Sequence, residues 1–238
     1  MGMWWLCSPR WAVADMEARY ERNIPALSLE ESTLLRTKTV AVIGCGGLGG
    51  YILEQLARLG IGTIRVVDGD VFEESNLNRQ LLSDVTVLGA SKAQTAKNRI
   101  AMVNPDVHVE AFALYLEESN APDIIAGCDA VIGALDNIYT RRILEQTCET
   151  LGIPYIYGAI HGWVAQAAID LPGQRLIEKM YPEGAVFKDK STLSFTPGLC
   201  ASMQTALCVK LLTGRPVETG TIYYFDLLDQ EFIAIPMA

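Results

Sequence analysis

The chain has 238 residues, of which 50% are hydrophobic and 20% are charged, and its formal net charge at pH 7 is -9. This length can bury a substantial hydrophobic core, and the composition excludes an intrinsically disordered protein. The acidic balance argues against sequence-independent binding of nucleic acid, because such binding depends on Lys and Arg that neutralise phosphates. No apolar run approaches the roughly 20 residues that a membrane-spanning helix needs. We therefore expect a cytoplasmic protein with neither nucleic acid nor a membrane as its partner.

Strand-like and helix-like segments alternate along the chain, which is typical of βαβ units around a parallel sheet. The predicted strands cover residues 39–43, 63–67, 107–116, 128–134, 155–159 and 163–171, and two more fall within 221–235. The predicted helices cover residues 49–59, 88–103, 137–151 and 199–212. The sequence thus predicts an α/β fold, with a Rossmann-like, doubly wound and mostly parallel sheet followed by C-terminal antiparallel strands. We expect a tail or arm over 1–15, a single domain over 16–238, and a mobile loop over 173–196.

The cysteines are scattered and form no C-x-x-C pair. They are Cys7, Cys45, Cys128, Cys148, Cys200 and Cys208. This spacing favours neither a zinc site nor a disulfide framework, so we interpret most of them as small buried hydrophobic residues. Cys200 lies near a predicted helix N-terminus, which can lower a thiol pKa. Its apolar neighbours favour a packing role over a reactive one.

A glycine-rich loop, GCGGLG over residues 44–49, follows the first predicted strand. Its glycines permit close approach of the backbone to phosphate, and the following helix N-terminus offers free N–H groups; these glycines are Gly44, Gly46, Gly47 and Gly49. Asp68 ends the second strand about 20 residues further on, where an acid commonly binds ribose hydroxyls. This pattern predicts nucleotide binding but does not distinguish NAD from ATP.

The polar segment 75–80 (SNLNRQ) favours ATP, because a triphosphate needs donors along its length. We interpret Arg79 and Lys92 as groups that hold the phosphates. The structural alternatives are an Arg79 that pairs with Glu73 or Glu74 and a Lys92 that is a solvated helix residue.

Asp136 follows a buried strand, at the carboxyl edge of the sheet where open α/β folds bind their ligands. A carboxylate at that edge can hold Mg²⁺ against phosphate oxygens. The alternative role is to cap the next helix, for which the pair Asp136-Asn137 is equally suited.

We interpret His108 and His161 as structural, because neither has partners at metal-ligand spacing.

Taken in order, these motifs resemble the MoeB/ThiF/HesA family, the prokaryotic relatives of ubiquitin-activating enzymes. The motifs are Arg19-Tyr20-x-Arg22, the G-x-G-G-L-G loop, Asp68-x-Asp70, the 75–80 segment, Gly89-x-x-Lys92 and Asp136-Asn137. The resemblance runs from about Tyr20 to the C-terminal strands, and the 75–80 segment is its most specific part. Family members with two C-x-x-C pairs bind a structural zinc, so we expect this chain to be free of zinc.

The resemblance implies ATP-dependent adenylylation of the C-terminal glycine carboxylate of a small β-grasp sulfur carrier that is similar to MoaD or ThiS and ends in Gly-Gly. It implies an acyl-adenylate product and release of pyrophosphate. The implied site has Asp68 on the ribose, Asn76, Arg79, Gln80 and Lys92 on the phosphates, Asp136 on Mg²⁺, and Asp70 and Asn137 beside the nucleotide. It also implies a homodimer in which Arg22 reaches the terminal phosphates in the neighbouring subunit.

Three alternatives stay open on the sequence. One is an NAD-dependent oxidoreductase built on the same glycine loop. Another is adenylylation of a non-protein substrate, such as a modified tRNA base or a small carboxylate. The third is a degenerate member that binds a partner without turnover. The sequence identifies neither the carrier nor the sulfur donor, and so does not choose between molybdenum or tungsten cofactor and thiamine synthesis.

Overall fold

The computed structural model describes residues 17–182, 184–185 and 191–237. Their eight strands form one sheet in the order β3-β2-β1-β4-β5-β6-β7-β8. The strands are β1 (Thr39–Ile43), β2 (Thr63–Val67), β3 (His108–Phe112), β4 (Ala130–Gly133), β5 (Tyr155–His161), β6 (Val164–Asp170), β7 (Thr221–Asp226) and β8 (Glu231–Pro236). The predicted mostly parallel α/β sheet with antiparallel C-terminal strands is confirmed.

The first five strands pair in parallel, and their central member is buried on both faces. In β1, Val40 and Val42 pack into one hydrophobic core, while Ala41 and Ile43 pack into the other. Successive side chains of a strand point to opposite faces, so this all-apolar segment places a core on each side of the sheet. The carboxyl ends of the five strands therefore lie together at one edge.

From β5 onward the pairing is antiparallel, and the β5–β6 hairpin opposes His161 with Val164. Because β7 is antiparallel to β6, its C-terminal end returns to the same edge as the ends of β1 to β5. The last strand, β8, is exposed along its length. The sheet edge thus continues beyond the parallel half without a break.

Seven α-helices surround the sheet in the described part of the chain. They are α1 (Leu29–Leu35), α2 (Gly47–Leu59), α3 (Lys92–Val103), α4 (Ala121–Ile125), α5 (Ile138–Leu151), α6 (Leu176–Met180) and α7 (Phe195–Leu212), and short 3₁₀ helices cover Ala18–Asn23 and Glu74–Asn76. Residues of α2, α3 and α7 belong to one core, and residues of α4, α5 and α6 to the other. None of these helices is both long and apolar enough to cross a membrane.

Several predicted boundaries differ from the structure. The helix expected over 88–103 begins only at Lys92, because Ser91 accepts a hydrogen bond from the Gln94 N–H and caps the helix there. The region 173–196 is not wholly irregular, since it contains α6 and the start of α7. The tail proposed for 1–15, and residues 183 and 186–190 of the proposed loop, lie outside the described residues.

The helix α2 packs directly on the glycine loop, and Gly49 makes that approach possible. A Cβ at Gly49 would lie 1.8 Å from the Gly44 carbonyl oxygen, which is part of the backbone and has no side-chain torsion with which to move away. Gly49 is therefore a packing residue as the structure places it, rather than a residue of the cavity wall.

Gly49→Ala is expected to lower the free energy of unfolding by about 2 kcal/mol or more, because helix and loop must separate. The matched control is Gly198→Ala in α7, where a Cβ would lie 3.6 Å from Tyr51, an ordinary contact distance. That change should be neutral or slightly stabilising, since alanine is the better helix former. Urea unfolding followed by circular dichroism measures both, and equal stabilities of the two variants would contradict the close-packing argument.

Candidate active site

A cavity of about 680 Å³ opens at the carboxyl edge of the sheet. Its wall follows the strand order, from Tyr115 beyond β3 through Asp68 beyond β2 and Gly44 beyond β1 to Asp136 beyond β4. It continues past the parallel half to Tyr224 in β7. The volume lies within the range of small-molecule sites, and the position is where doubly wound folds bind ligands.

The glycine loop forms the floor of this cavity between β1 and α2. Gly44 has a φ of +99°, and a Cβ there would lie 2.5 Å from the Ala134 carbonyl oxygen. Gly46 is the N-cap of α2 and contributes no side-chain cap. The first N–H groups of α2 lie beside the cavity, since Gly46 and Gly47 line it. This arrangement suits an anionic phosphate.

Asp68 holds the glycine loop in place from the end of β2. Its carboxylate accepts hydrogen bonds from the Cys45 N–H at 2.6 Å and from the Asp70 N–H at 2.8 Å. Burial raises the pKa of Asp68, although both hydrogen bonds act to lower it. The carboxylate is thus fixed at the cavity wall, where it can accept hydrogen bonds from ligand hydroxyl groups.

Lys92 is a buried cation at the start of α3, with 8% of its side chain exposed. Its ammonium donates to Asp70 Oδ2 at 3.2 Å, and the Tyr115 hydroxyl donates to Asp70 Oδ1 at 2.6 Å. The Tyr115 hydrogen bond and, after it, Lys92 lower the pKa of Asp70 against the effect of burial. The alternative that Lys92 is a solvated helix lysine is wrong.

Arg79 and Gln80 line the cavity beside the glycine loop. The Arg79 guanidinium donates to the Ser75 carbonyl and to the Asn78 side-chain oxygen, each at 2.8 Å. Both acceptors are neutral, so these contacts leave its positive charge uncompensated, and the alternative pairing with Glu73 or Glu74 does not form. Gln80 is buried, and its Oε1 has no hydrogen-bond partner within the described chain.

Asn76 does not line the cavity. It is 7% exposed, and its side-chain oxygen accepts a hydrogen bond from the Glu73 N–H at 3.1 Å. The same residue ends the 3₁₀ helix whose C-terminal side leads into Arg79 and Gln80. As the structure places it, Asn76 fixes the turn that carries the two cavity residues.

Asp136 lies exposed on the cavity wall after β4, and Asn137 lies next to it. Asn137 caps α5, because its side-chain oxygen accepts a hydrogen bond from the Thr140 N–H at 2.8 Å. The helix cap is therefore Asn137 and not Asp136. Among the described residues no group of three or more His, Cys, Asp or Glu is placed to hold a metal ion. A single carboxylate still fits Mg²⁺, because this ion takes one or two protein carboxylates and completes its shell with phosphates and water.

Beyond Asp136 the wall belongs to the antiparallel half of the sheet. Its residues there are Ala159, Ile160, His161, Val164, Gln166, Thr192 and Tyr224. The buried Arg141 of α5 and Tyr181, which follows α6, line the cavity as well. Among the described residues, the strands of this outer half contribute no Asp, Glu, Lys or Arg to the wall, in contrast to the charged half around the glycine loop.

Two other predicted residues lie apart from the cavity. Arg22 is exposed at the end of the N-terminal 3₁₀ helix and does not line it. Cys200 is fully buried in α7, and burial raises the pKa of its thiol to about 12. Its side chain is part of a hydrophobic core cluster, as the predicted packing role requires.

Sequence reasoning missed Tyr115 and Arg141. A signal for Arg141 is its position four residues after Asn137, which puts it on the same face of the first helical turn beside Asp136. Tyr115 follows the end of β3, the strand next to β2. Neighbouring ends of parallel strands meet at one edge, so it belongs beside Asp68 and Asp70.

The fold and the cavity define a Rossmann-type protein with a ligand-sized cavity at the carboxyl edge of its sheet. The model of the ThiF family matches residues 20–238, and the chain belongs to the ThiF family. It is 35% identical to the SAMP-activating enzyme E1 of Haloferax volcanii over 92% of this chain and 84% of that protein. It is 33% identical to the sulfur carrier protein adenylyltransferase of Thermus thermophilus over 94% of this chain and 88% of that protein.

The chain is shorter than another of its relatives. It covers 62% of the probable adenylyltransferase/sulfurtransferase MoeZ of Mycobacterium tuberculosis, with 34% identity over 97% of this chain. Among solved structures, E. coli MccB with ATP has a similar fold, with a TM-score of 0.83 and 20% identity. The match covers 97% of this chain and 74% of MccB, and at this identity it concerns the fold alone.

Tyr115→Phe is expected to raise the pKa of Asp70 towards its ordinary value, because the hydroxyl donor is lost. The folded-state pKa of Asp70 is lowered, so its ionised form stabilises the fold above the pH at which the unfolded carboxyl titrates. That stabilisation disappears as the pH falls through the folded-state pKa, and it should be smaller in the variant. Carbon-13 NMR titration of the aspartates measures the shift.

The matched control is Tyr139→Phe, which changes an exposed tyrosine of α5 that does not line the cavity. It should leave the Asp70 titration unchanged. An Asp70 pKa that is the same in Tyr115→Phe and in the unchanged protein would contradict the assigned hydrogen bond.

Proposed function

We propose that this protein uses Mg-ATP to convert the C-terminal glycine carboxylate of a small ubiquitin-like sulfur carrier, ending in Gly-Gly, into an acyl-adenylate. Adenylylation of a ubiquitin-like sulfur carrier is the activity that its relatives' names support. The features proposed beyond that are Mg²⁺, the Gly-Gly end, a homodimer and the role of each site residue. The NAD-dependent alternative has no support among these relatives.

The observation that carries the proposal is the length of the cavity along the sheet. Its wall touches the ends of seven neighbouring strands, from β3 to β7 in sheet order. With about 4.8 Å between strands, six intervals span roughly 30 Å. The glycine loop and the charged residues occupy one part of this length, and the neutral wall around His161 and Tyr224 occupies the rest. An extended peptide tail fits the second part better than a small carboxylate does.

The charges favour a reaction between two anions. A carboxylate and a triphosphate repel each other, and negative charge develops on the departing pyrophosphate. Arg79 and Lys92 offset this charge, and the N-terminus of α2 adds partial positive charge. The carboxylate attacks the α-phosphorus, a new O–P bond forms, and the bond to pyrophosphate breaks. The nucleophile is ionised at neutral pH, so the site needs no general base.

The remaining assignments follow from position. Asp68 binds the ribose hydroxyls, and Gln80 donates to phosphate oxygens beside Gly46, with Asn76 supporting their turn. Asp136 holds Mg²⁺, which when bound neutralises phosphate charge and orients the leaving group. Asp70 keeps Lys92 in place until phosphate competes for its ammonium.

Arg22 acts across a homodimer in this proposal. Its exposed position outside the cavity supports a role in a neighbouring subunit rather than in its own. Most soluble homo-oligomers are symmetric dimers, in which a residue of one subunit can complete the site of the other twice over.

ATP–pyrophosphate exchange tests the reaction directly. With Mg²⁺ and a matching carrier, exchange should depend on the carrier and disappear when its terminal glycine is removed. Lys92→Met, Arg79→Gln and Asp136→Asn should each lower turnover by a factor of roughly 10² to 10³, because each removes a group that stabilises developing charge.

Lys97→Met is the matched control for Lys92→Met, since Lys97 lies on the same helix but is exposed and outside the cavity. It should retain full exchange. Full exchange by Lys92→Met or Asp136→Asn would remove those residues from the site, and ATP binding without exchange for any carrier would point to a non-protein substrate.

Subunit complementation tests Arg22. Arg22→Ala and Lys92→Met should each be nearly inactive, whereas a mixture with freely exchanging subunits should recover about a quarter of full activity, since half of the dimers then hold one intact site. A mixture that stays as inactive as its components would show that Arg22 does not act in the neighbouring subunit.

A further inference from the structure

Arg141 is a buried arginine with an unusual set of partners. It is 4% exposed, and its electrostatic partners within the described chain are tyrosines rather than carboxylates. Its Nε and Nη2 donate to the Leu135 carbonyl at 3.2 and 2.5 Å, Nη2 also donates to the Gly158 carbonyl at 3.2 Å, and Nη1 donates to the Tyr181 hydroxyl at 3.0 Å. All of its acceptors are neutral oxygen atoms.

Two tyrosine rings complete this environment. The guanidinium carbon lies 5.1 Å from the ring centre of Tyr157 and 5.8 Å from that of Tyr181. The hydroxyls of these two tyrosines also contact each other. Ring faces and carbonyl dipoles stabilise a cation, but they do not cancel its charge. The protein therefore keeps a full positive charge, largely removed from water, in the wall of the cavity.

A buried charge without a counterion is costly, so its retention calls for a specific role. The position of Arg141 supplies one. It bridges the end of β4 to β5, which is where the charged half of the cavity meets its neutral half. In the proposed reaction, the α-phosphate and the carrier carboxylate meet at this boundary.

The contact with Leu135 reaches Asp136 through the backbone. The Leu135 carbonyl belongs to the peptide group that joins Leu135 to Asp136, and this group is planar. Two guanidinium donors on one carbonyl oxygen restrain the orientation of that plane, and with it the position of the Asp136 Cα from which the carboxylate extends.

We propose that Arg141 is a positioning residue that orients Asp136 towards the metal-bound phosphates and whose uncompensated charge favours anions at the boundary between β4 and β5. The proposal rests on the proposed function for the identity of those anions. Arg141 itself does not need to touch the reacting atoms.

Arg142 provides a matched control in the next position of α5. Its guanidinium donates to the backbone carbonyl of Tyr181, so it too holds the residue that packs against Arg141. Unlike Arg141, it has no hydrogen bond to the Leu135 carbonyl within the described chain, and it does not line the cavity. An effect that arises only from displacement of Tyr181 should therefore appear in both arginine variants.

The experiment compares Arg141→Met, Arg141→Lys and Arg142→Met with the unchanged protein. Calorimetry gives the ATP dissociation constant with Mg²⁺ and with EDTA, and carrier-dependent exchange gives kcat and KM. In Arg141→Met, the ratio of the ATP dissociation constant with EDTA to that with Mg²⁺ should fall about tenfold. The kcat should fall by a factor of about 10², because the reacting groups are misplaced. Arg141→Lys should lie between these values, and Arg142→Met should match the unchanged protein.

A folded Arg141→Met that keeps the full Mg²⁺-dependent gain and kcat would overturn the proposal. The same losses in Arg142→Met would also overturn it, since they would reflect a merely structural role. If circular dichroism shows that Arg141→Met does not fold, Arg141→Lys decides by the same criteria. If the unchanged protein binds Mg-ATP but shows no carrier-dependent exchange, the proposed function fails. The calorimetric comparison of ATP binding with Mg²⁺ and with EDTA still tests the role of Arg141.

Discussion

The backbone of the glycine loop lies closer to its neighbours than any side chain would permit, and the whole site depends on this approach. Gly44 faces the Ala134 carbonyl after β4, while Gly49 presses α2 against the Gly44 carbonyl. The Asp68 carboxylate then ties the loop to β2 through the Cys45 N–H. Three neighbouring strand ends are thereby fixed relative to one helix N-terminus. A phosphate site built from backbone N–H groups requires this rigidity, because such groups cannot adjust individually.

The cavity is lined by several cations although the molecule as a whole is acidic. An acidic chain with a net charge of -9 repels ATP and carboxylates at long range, so binding must come from local cations. Lys92 donates to the Asp70 carboxylate, whereas the acceptors of Arg79 and Arg141 within the described chain are neutral oxygen atoms. Among the described residues, the site thus contains one cation, Lys92, that is paired with a carboxylate, and two, Arg79 and Arg141, that are not. Under the proposed function, an anionic ligand would compete with Asp70 for the Lys92 ammonium.

The parallel strands were predictable from the sequence because both of their faces are buried, which makes them continuous apolar segments. The motif residues Asp68, Arg79 and Asp136 were predictable because strand ends and loops carry them to one edge. The short helices α1, α4 and α6 were missed, since a few residues show too little periodicity to be recognised. Tyr115 and Arg141 were missed for another reason: their roles depend on tertiary contacts, namely a hydroxyl on Asp70 and a guanidinium on the Leu135 carbonyl.

The change from parallel to antiparallel pairing at β5 explains why the cavity has two different halves. Parallel strands need crossover helices, and each crossover brings a helix N-terminus and a polar loop to the carboxyl edge. A short turn joins β5 to β6, and β7 brings its C-terminal end back to the same edge, so these strands meet the cavity without a crossover helix N-terminus after them. The cavity wall therefore offers a charged surface and a less charged surface side by side. Arg141 donates to the Leu135 carbonyl after β4 and to the Gly158 carbonyl in β5, the strand at which the pairing changes, so its charge lies between these two surfaces.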